Sequence, residues 1–480
     1  MKMRQAAWPM LLALFFVGGC FDGGEVIVTV GESSTGAVVY LADQQIDEVF
    51  ELYLVSSGAR LNPALGVGQA VTSFALTPDK TAVLYIADQD VDDKFELYLV
   101  QIANPGISVK LNGTLQAGGD VQNFAIAPDG TSVVYLADQN SDPGNELYQI
   151  FFTNTGSGGI RLTPTFPTAT TIGRFAVTPD STGVVYIADA TTLNVDELYQ
   201  SSFLNPPNST KLNSTLVSGG NVTNFSIAPN STSVVYLADQ RVDQTFELFQ
   251  SPISGPGSGN PLNPPLLGGK NVTTFAVTPD NTAVVYRADQ DTLGTFELYR
   301  VLFAFPQTSS VKLNGTLVAG GNVSTAFAIA PDGSAVVYLA DQRLLGVAEA
   351  FRVVLSSPPG LSQQLNPDYV GGQNVTAFFI APNSSSLIYL ANQTSSAFQL
   401  YQVPFSTPQN STPPLNGTLV IGGNVASFSI LPNSTTVLYL ANQSTFSAVE
   451  LFLTKVGSPG DSTKLNAPMV VGGNVVAFTF

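Results

Sequence analysis

Acidic residues recur at two fixed places in a pattern that repeats along the chain about every 50 residues. Paired carboxylates can act as the acid and the nucleophile of a glycosidase, and oxygen-rich loops can bind divalent cations. Because nearly every repeat carries the acids, no pair stands out as catalytic. The repeated acids are Asp43, Glu51, Asp88, Glu96, Asp138, Glu146, Asp189, Glu197, Asp239, Glu247, Asp289, Glu297, Asp341 and Glu349.

A structural role is the main interpretation of these acids. Carboxylates at turns accept backbone N–H bonds, and four of the repeats also offer a cation in a Lys-Leu-Asn phrase. Those lysines are Lys110, Lys211, Lys312 and Lys464. In the last two repeats, Asn392 and Asn442 replace the aspartate, and Gln399 replaces one glutamate. We therefore expect the acids to form one polar face whose contacts are mostly internal.

A calcium site is the sharper alternative for the acid-rich loop of the second repeat. Asp88, Asp90, Asp92 and Asp93 lie within six residues of one another. Calcium takes six to eight oxygen ligands and needs no nitrogen ligand. The spacing lacks the glycine and the final glutamate of an EF-hand loop. No other cofactor is expected.

The composition excludes several classes of function. The chain has no histidine and one cysteine, Cys20, so histidine-dependent catalysis, the usual zinc sites and internal disulfides are excluded. Lys and Arg number 18 against 35 Asp and Glu, which gives a net charge of −17. A nucleic-acid partner is not expected, because phosphate binding needs clustered cations.

The spacing of one phrase predicts the elements that position the acids. Val-Val-Tyr-Leu-Ala-Asp-Gln or a close variant occurs nine times, with its tyrosine from Tyr40 to Tyr439. Each period divides into four short apolar runs separated by turns, and no sustained helical period appears. This predicts an all-β protein, a β-propeller of about nine four-stranded blades over residues 26–480. The phrase Phe478-Thr479-Phe480 predicts closure by pairing of the N- and C-terminal strands.

The first residues have the features of a processing signal. Lys2 and Arg4 precede an apolar stretch, and Val17-Gly18-Gly19-Cys20 resembles a bacterial lipobox. We expect residues 1–19 to be a lipoprotein signal peptide and Cys20 to be lipidated. Residues 20–25 would then be a tether. Loss of the two cations in residues 1–19 gives the mature chain a net charge of about −19.

The repeats also resemble a known family. Residues 124–138, Phe-Ala-Ile-Ala-Pro-Asp-Gly-Thr-Ser-Val-Val-Tyr-Leu-Ala-Asp, and the later Glu146-Leu147-Tyr148 look like TolB-type, WD40-like β-propeller repeats. The resemblance implies a propeller and, by analogy with TolB, a protein partner at the cell envelope. Family members often have six to eight blades, whereas this chain has nine copies.

Together these features suggest a lipid-anchored, extracytoplasmic binding or scaffold module at the bacterial cell envelope, not an enzyme. We expect a monomeric ring, a protein partner, and attachment at the outer membrane or cell surface. The alternative is an envelope enzyme that acts on glycans or peptides through carboxylates of the loop face. A propeller fold alone does not decide between them.

Overall fold

The computed structural model describes residues 37–480, apart from 141–143, 156, 166–169, 256, 359 and 411–412. The predictions for residues 1–19, for the tether 20–25, for Cys20 and for the first residues of the proposed propeller lie outside the described residues. The described residues form strands and turns and include no helix, as the sequence predicted. No helix long and apolar enough to span a membrane occurs among them.

The strands form nine antiparallel sheets, the blades, numbered here by the order of their tyrosines. The first strands of blades 2 to 9 and then 1 are Val71–Leu76, Val121–Ile126, Ile172–Val177, Val222–Ile227, Val272–Val277, Val323–Ile329, Val375–Ile380, Val425–Ile430 and Val475–Thr479. The second strands of blades 1 to 9 are Val39–Ala42, Ala82–Ala87, Ser132–Ala137, Gly183–Ala188, Ser233–Ala238, Ala283–Thr292, Ala335–Ala340, Ser386–Ala391 and Thr436–Ala441.

The third strands are Glu51–Leu54, Glu96–Gln101, Glu146–Phe151, Glu197–Ser202, Glu247–Pro252, Thr295–Leu302, Glu349–Val354, Gln399–Pro404 and Glu450–Lys455. The fourth strands, described in blades 2 to 7 and 9, are Ser108–Lys110, Ile160–Arg161, Ser209–Lys211, Asn260–Pro261, Val311–Lys312, Ser362–Gln364 and Ser462–Lys464. In blade 1, a single bridge between Tyr53 and Arg60 takes the place of the fourth strand.

The second strand is the centre of each blade. Its Val-Val-Tyr-Leu-Ala residues are buried on both faces, because the strand lies between two paired strands and two neighbouring blades. Branched and aromatic side chains suit such a position. In blade 2, Tyr85 lies opposite Tyr98 of the third strand, and their rings stack at 5.5 Å. An equivalent aromatic pair stacks in every blade, and each adds about 0.5–1.5 kcal/mol beyond its buried area.

Nine apolar clusters hold the ring together, one between each pair of neighbouring blades. One of them joins blade 9 to blade 1 and includes Leu438, Leu451 and Tyr40. First strands of several neighbouring blades contact one another, which places them on the axis side of the blades. The nine sheets therefore form one closed propeller, as the repeat count predicted.

The two ends of the described chain close the ring. Val475–Thr479 pairs antiparallel with Val39–Ala42, and Tyr40 lies opposite Phe478. The C-terminal strand thereby supplies the first strand of blade 1. This pairing covers a sheet edge that would otherwise expose unpaired backbone groups. The predicted closure by N- and C-terminal strands is confirmed.

Deletion of residues 475–480 should open this closure. It removes the first strand of blade 1 and the buried Val475 from the junction with blade 9. We expect a melting temperature lower by several degrees and concentration-dependent association through the freed edge, measured by calorimetry and sedimentation velocity. The control is Val476→Ser, because Val476 lies in the same strand but is 47% exposed. A monomeric deletion variant with unchanged melting temperature would contradict the closure.

Candidate functional site

The repeated acids meet on one face of the ring, here called the loop face. It consists of the loops between second and third strands and the connections from each fourth strand to the next blade. Antiparallel strands bring these two kinds of segment to the same edge. In blade 2, Gln69 of the connection donates through Nε2 to the Asp88 carbonyl, at 2.9 Å. The loop and the connection therefore lie together at this edge of the blade.

The aspartates at the ends of the second strands hold this face together. Asp88 is 1% exposed, and its Oδ1 accepts the N–H of Ala70, at 2.7 Å, from the incoming connection. Its Oδ2 accepts the N–H of Asp93, at 3.2 Å, where the loop turns through a positive φ of 60°. Each such carboxylate therefore holds a connection and a loop tip against the same blade through two hydrogen bonds. The same two backbone bonds are made by Asp43, Asp189, Asp239 and Asp289.

Other residues at this position also bind the backbone of a connection or a loop tip. Asp138 accepts the N–H of Asp120 at 2.6 Å, and Asp341 accepts the N–H of Gly346 at 3.1 Å. In blade 8, Asn392 accepts the N–H of Asn374 through Oδ1, at 2.7 Å. An amide oxygen can thus replace the carboxylate, because the role needs an acceptor and not a negative charge.

The glutamates that begin the third strands are buried and neutralised within their own blades. Glu197 is 5% exposed and accepts hydrogen bonds from Lys211 Nζ at 2.7 Å and from Tyr199 at 2.9 Å. Thr191 of the loop donates a third, at 2.6 Å. Burial raises the pKa of the Glu197 carboxyl, but these hydrogen bonds outweigh it and hold the pKa below its ordinary value. Glu197 is therefore an ionised structural group with its oxygens in use.

The cation partner comes from one of two places. In most blades it lies on the fourth strand or its equivalent, and the pairs are Glu51–Arg60, Glu96–Lys110, Glu146–Arg161, Glu197–Lys211, Glu297–Lys312 and Glu450–Lys464. Blades 5 and 7 have no cation on that strand. There the loop supplies an arginine, and Arg241 and Arg343 lie 2.6 and 3.1 Å from Glu247 and Glu349. Blades 5 and 7 thus keep the ion pair, but its cation comes from the loop and not from the fourth strand.

Blade 8 has neither the acid nor the cation. Gln399 stands where the glutamate would be, and residues 369–449 contain no Lys or Arg. A buried carboxylate without a cationic partner costs several kcal/mol of stability. A blade that lacks the cation is therefore expected to lack the glutamate as well, as blade 8 does. The nine repeats therefore provide an internal comparison, in which the buried glutamate of the third strand occurs only together with a cation.

The calcium candidates do not form a ligand set. Both oxygens of Asp88 accept backbone N–H groups, and Asp90 Oδ2 lies 2.9 Å from Lys110 Nζ. Within the described part of the chain, no group of three or more His, Cys, Asp or Glu side chains is arranged to hold a metal ion. Asp92 and Asp93 lie exposed at the loop tip.

The exposed apolar side chains of the loop face were not anticipated from the sequence. They occur in the loops after the second strands and in the connections between blades. Turns usually consist of Gly, Asn, Asp and Ser. Large apolar residues in these turns were therefore the feature of the sequence that could have predicted the exposed side chains. They are Ile46, Val67, Val91, Leu193, Val242, Leu267, Leu293, Leu344, Leu345, Val370, Ile421, Phe446, Val470 and Val471.

One charged residue breaks the ninefold pattern in a second strand. Arg287 lies in the second strand of blade 6, at a position that is Leu or Ile in the other eight blades. Its Nε donates to the Val323 carbonyl of blade 7, at 2.6 Å, and its guanidinium lies 4.0 Å from the ring centre of Phe296. Burial lowers its pKa to about 10. The first strands of the other blades also shift register near this point, but the shift in blade 7 is longer, from Val323 to Phe327. Arg287 therefore contacts blade 7 at the start of this longer irregular segment.

These features define a nine-bladed β-propeller with a loop face of internally paired acids and exposed apolar tips. No family model and no curated protein matches the chain. A eukaryotic initiation factor structure is similar, with a TM-score of 0.57, 11% identity, and coverage of 92% of this chain and 99% of its own. At that identity the likeness shows the propeller fold alone.

Two other structures have lower similarity. A prolyl endopeptidase matches with a TM-score of 0.45 and 13% identity over 78% of this chain, which spans about half the length of that enzyme. A TolB from Agrobacterium tumefaciens matches 50% of this chain and 78% of its own, with a TM-score of 0.31 and 13% identity. Neither value supports an argument about function, and the TolB-type resemblance stays a prediction from the sequence.

Replacing Arg241 tests whether the ion pairs stabilise the blades. Arg241→Met leaves the buried Glu247 with the N–H of Leu266 as its remaining donor. We expect a loss of about 2–4 kcal/mol in the free energy of unfolding, measured by urea denaturation at pH 7. The double variant Arg241→Met, Glu247→Gln should recover most of that loss, since it carries no unpaired charge. Equal losses in the single and double variants would contradict the interpretation.

Proposed function

We propose that this protein is a lipid-anchored, extracytoplasmic β-propeller that binds protein partners, or scaffolds them, at the bacterial cell envelope. The observation that carries the proposal is the row of exposed apolar side chains around the loop face. Ile421 and Val471 are each 99% exposed, and Val67 is 86% exposed. Most of the exposed large apolar side chains lie on this face, while Ile107, Leu204, Phe305 and Leu361 lie in loops on the opposite face. A concentration of large apolar side chains on one face is typical of protein–protein contact surfaces. The closed propeller supplies a rigid support for them.

The start of the chain supports the anchored location. Cys20 follows the lipobox-like Val17-Gly18-Gly19, and acylation of that cysteine would attach the protein to a membrane. The described chain enters the ring at Ala37, ahead of Val39–Ala42. That strand runs from the face of the Pro-Asp-Gly turns toward the loop face. A tether at this end would therefore leave from the opposite side and keep the loop face open to partners.

The alternative of a carboxylate enzyme has no specific observation in its favour. The repeated aspartates accept backbone N–H bonds, and the repeated glutamates are paired with Lys or Arg. A general acid or nucleophile needs a carboxylate oxygen that can reach a substrate. Among the described acids of the repeats, none stands apart from its equivalents as a catalytic pair would.

Purification from the native cells or from a bacterial host tests this proposal. We expect the full-length protein in the membrane fraction, labelled by a palmitate analogue, and Cys20→Ser released from the membrane without the label. Detergent-solubilised full-length protein, cross-linked before lysis, should recover one protein partner in stoichiometric amount. A protein that is unlabelled and soluble, or that recovers no partner after cross-linking, would contradict the proposed function.

A further inference from the structure

We propose that the loop tips of blades 8, 9 and 1, with those of blade 2, form one docking surface for a basic protein. The partner would present apolar side chains to the tips of blades 8 and 9 and to the connection into blade 1, and Lys or Arg side chains to the acidic loops of blades 1 and 2. The inference rests on the proposed function and deepens it, since it names the place on the ring and the chemistry of the partner. We call this surface the docking sector.

The docking sector begins with an uncharged part of the ring. Residues 369–449, which span blade 8 and most of blade 9, contain no Asp, Glu, Lys or Arg. Elsewhere in the chain, charged residues occur in every repeat. Charged residues are depleted at the cores of protein interfaces, because their hydration is lost there. An uncharged face is therefore the expected centre of a contact surface.

Large apolar side chains project from this uncharged part. Ile421 of the connection into blade 9 is 99% exposed, and Phe446 of the blade 9 loop is 67% exposed. Phe446 lies directly over Gly422, where an added Cβ would come within 2.9 Å of its ring. Ile421 and Phe446 are thus neighbours. Val471, in the connection into blade 1, is also 99% exposed. Three large apolar groups therefore face solvent on two adjacent blades.

Acidic groups begin where the uncharged part ends. In blade 1, the Asp47 carboxylate lies over Gly472, in the position that Phe446 takes in blade 9. In blade 2, Asp92 takes the same position over Gly68. The loop position above the connection is therefore aromatic in blade 9 and acidic in blades 1 and 2. Exposed Glu48 and Asp93 stand beside these two aspartates.

These four acids lack the internal partners that the buried glutamates have. Asp47, Glu48, Asp92 and Asp93 form no salt bridge with any Lys or Arg of the described chain. Grouped unpaired charges produce a field that attracts opposite charge and raises the rate of association with it. The acids of blades 1 and 2 are thus available to a cationic partner.

Charge decides between the occupants of this sector. The chain carries a net charge of −17, so a second copy would bring acidic loops against acidic loops. Anionic lipid headgroups would be repelled in the same way. A protein whose apolar side chains are flanked by Lys or Arg satisfies both parts of the sector. We therefore assign a basic protein and not a membrane or a second protomer.

Two defined peptides provide the test for the purified full-length protein in detergent. One is a fluorescein-labelled peptide of repeated Leu-Lys-Lys-Leu, and the other is its Leu-Glu-Glu-Leu counterpart. Fluorescence anisotropy at 50 mM NaCl should give saturable one-to-one binding of the lysine peptide alone. At 300 mM NaCl its binding should weaken, because salt screens exposed charges.

Variants then locate the binding. Ile421→Ser with Val471→Ser should weaken binding of the lysine peptide at least about tenfold, since buried anchor residues carry most interface energy. Asp47→Asn with Asp92→Asn should weaken it about threefold or more. The matched controls lie outside the sector and should change it little. They are Leu204→Ser, which is 92% exposed, and Asp461→Asn, which is also exposed.

The same variants separate this inference from the proposed function. A native partner that binds the Ile421→Ser, Val471→Ser variant as tightly as the unaltered protein overturns the docking sector and leaves the binding function standing. Equal effects of sector and control variants on the lysine peptide, or no saturable binding, also overturn it. So would binding to phosphatidylglycerol vesicles, or dimers in sedimentation velocity, that the sector variants abolish. Absence of any native partner would count against the proposed function instead.

Discussion

The burial of a carboxylate at the start of the third strand is the constraint on which each blade depends. These glutamates are at most 7% exposed, and a charge so placed is stable only beside a cation and hydrogen-bond donors. In blade 4, the donors come from the loop, from the third strand and from the fourth strand, through Thr191, Tyr199 and Lys211. One buried charge therefore fixes three segments relative to one another. Because the segments recur, the same interaction shapes the loop face around the ring.

This constraint separates the groups that maintain the ring from those that can meet a partner. The repeated acids first suggest carboxylate chemistry, yet their oxygens are turned to backbone N–H groups and to cations of the same blade. Groups that differ between blades lie farther out, at the loop tips. There Phe446 and Asp47 occupy equivalent positions with opposite chemistry. The proposed recognition of a partner would use these positions, because the fold does not fix their residue types.

The sequence predicted the repeated part of this architecture and missed the parts that depend on contacts between repeats. The spacing from Tyr40 to Tyr439 predicted nine blades, and the phrase at Phe478 predicted the closing strand. Both predictions follow from short sequence patterns that recur in the repeats. The use of Arg241 in place of a fourth-strand lysine, and the bond from Arg287 to the Val323 carbonyl, involve residues that no periodicity marks. The exposed apolar tips were visible as residue types, but the pattern alone did not show which were buried.

Blade 8 offers the most direct test of the central claim that the buried glutamate of the third strand requires its own cation. Gln399→Glu would restore the repeated glutamate without a cation, and Thr394→Arg would add an arginine at the position of Arg241 and Arg343. The measurement is the free energy of unfolding in urea at pH 7. Gln399 is only partly buried, so we predict that Gln399→Glu lowers it by about 1–3 kcal/mol and that adding Thr394→Arg restores most of the loss. An unchanged value for Gln399→Glu, or no recovery on adding the arginine, would contradict the account.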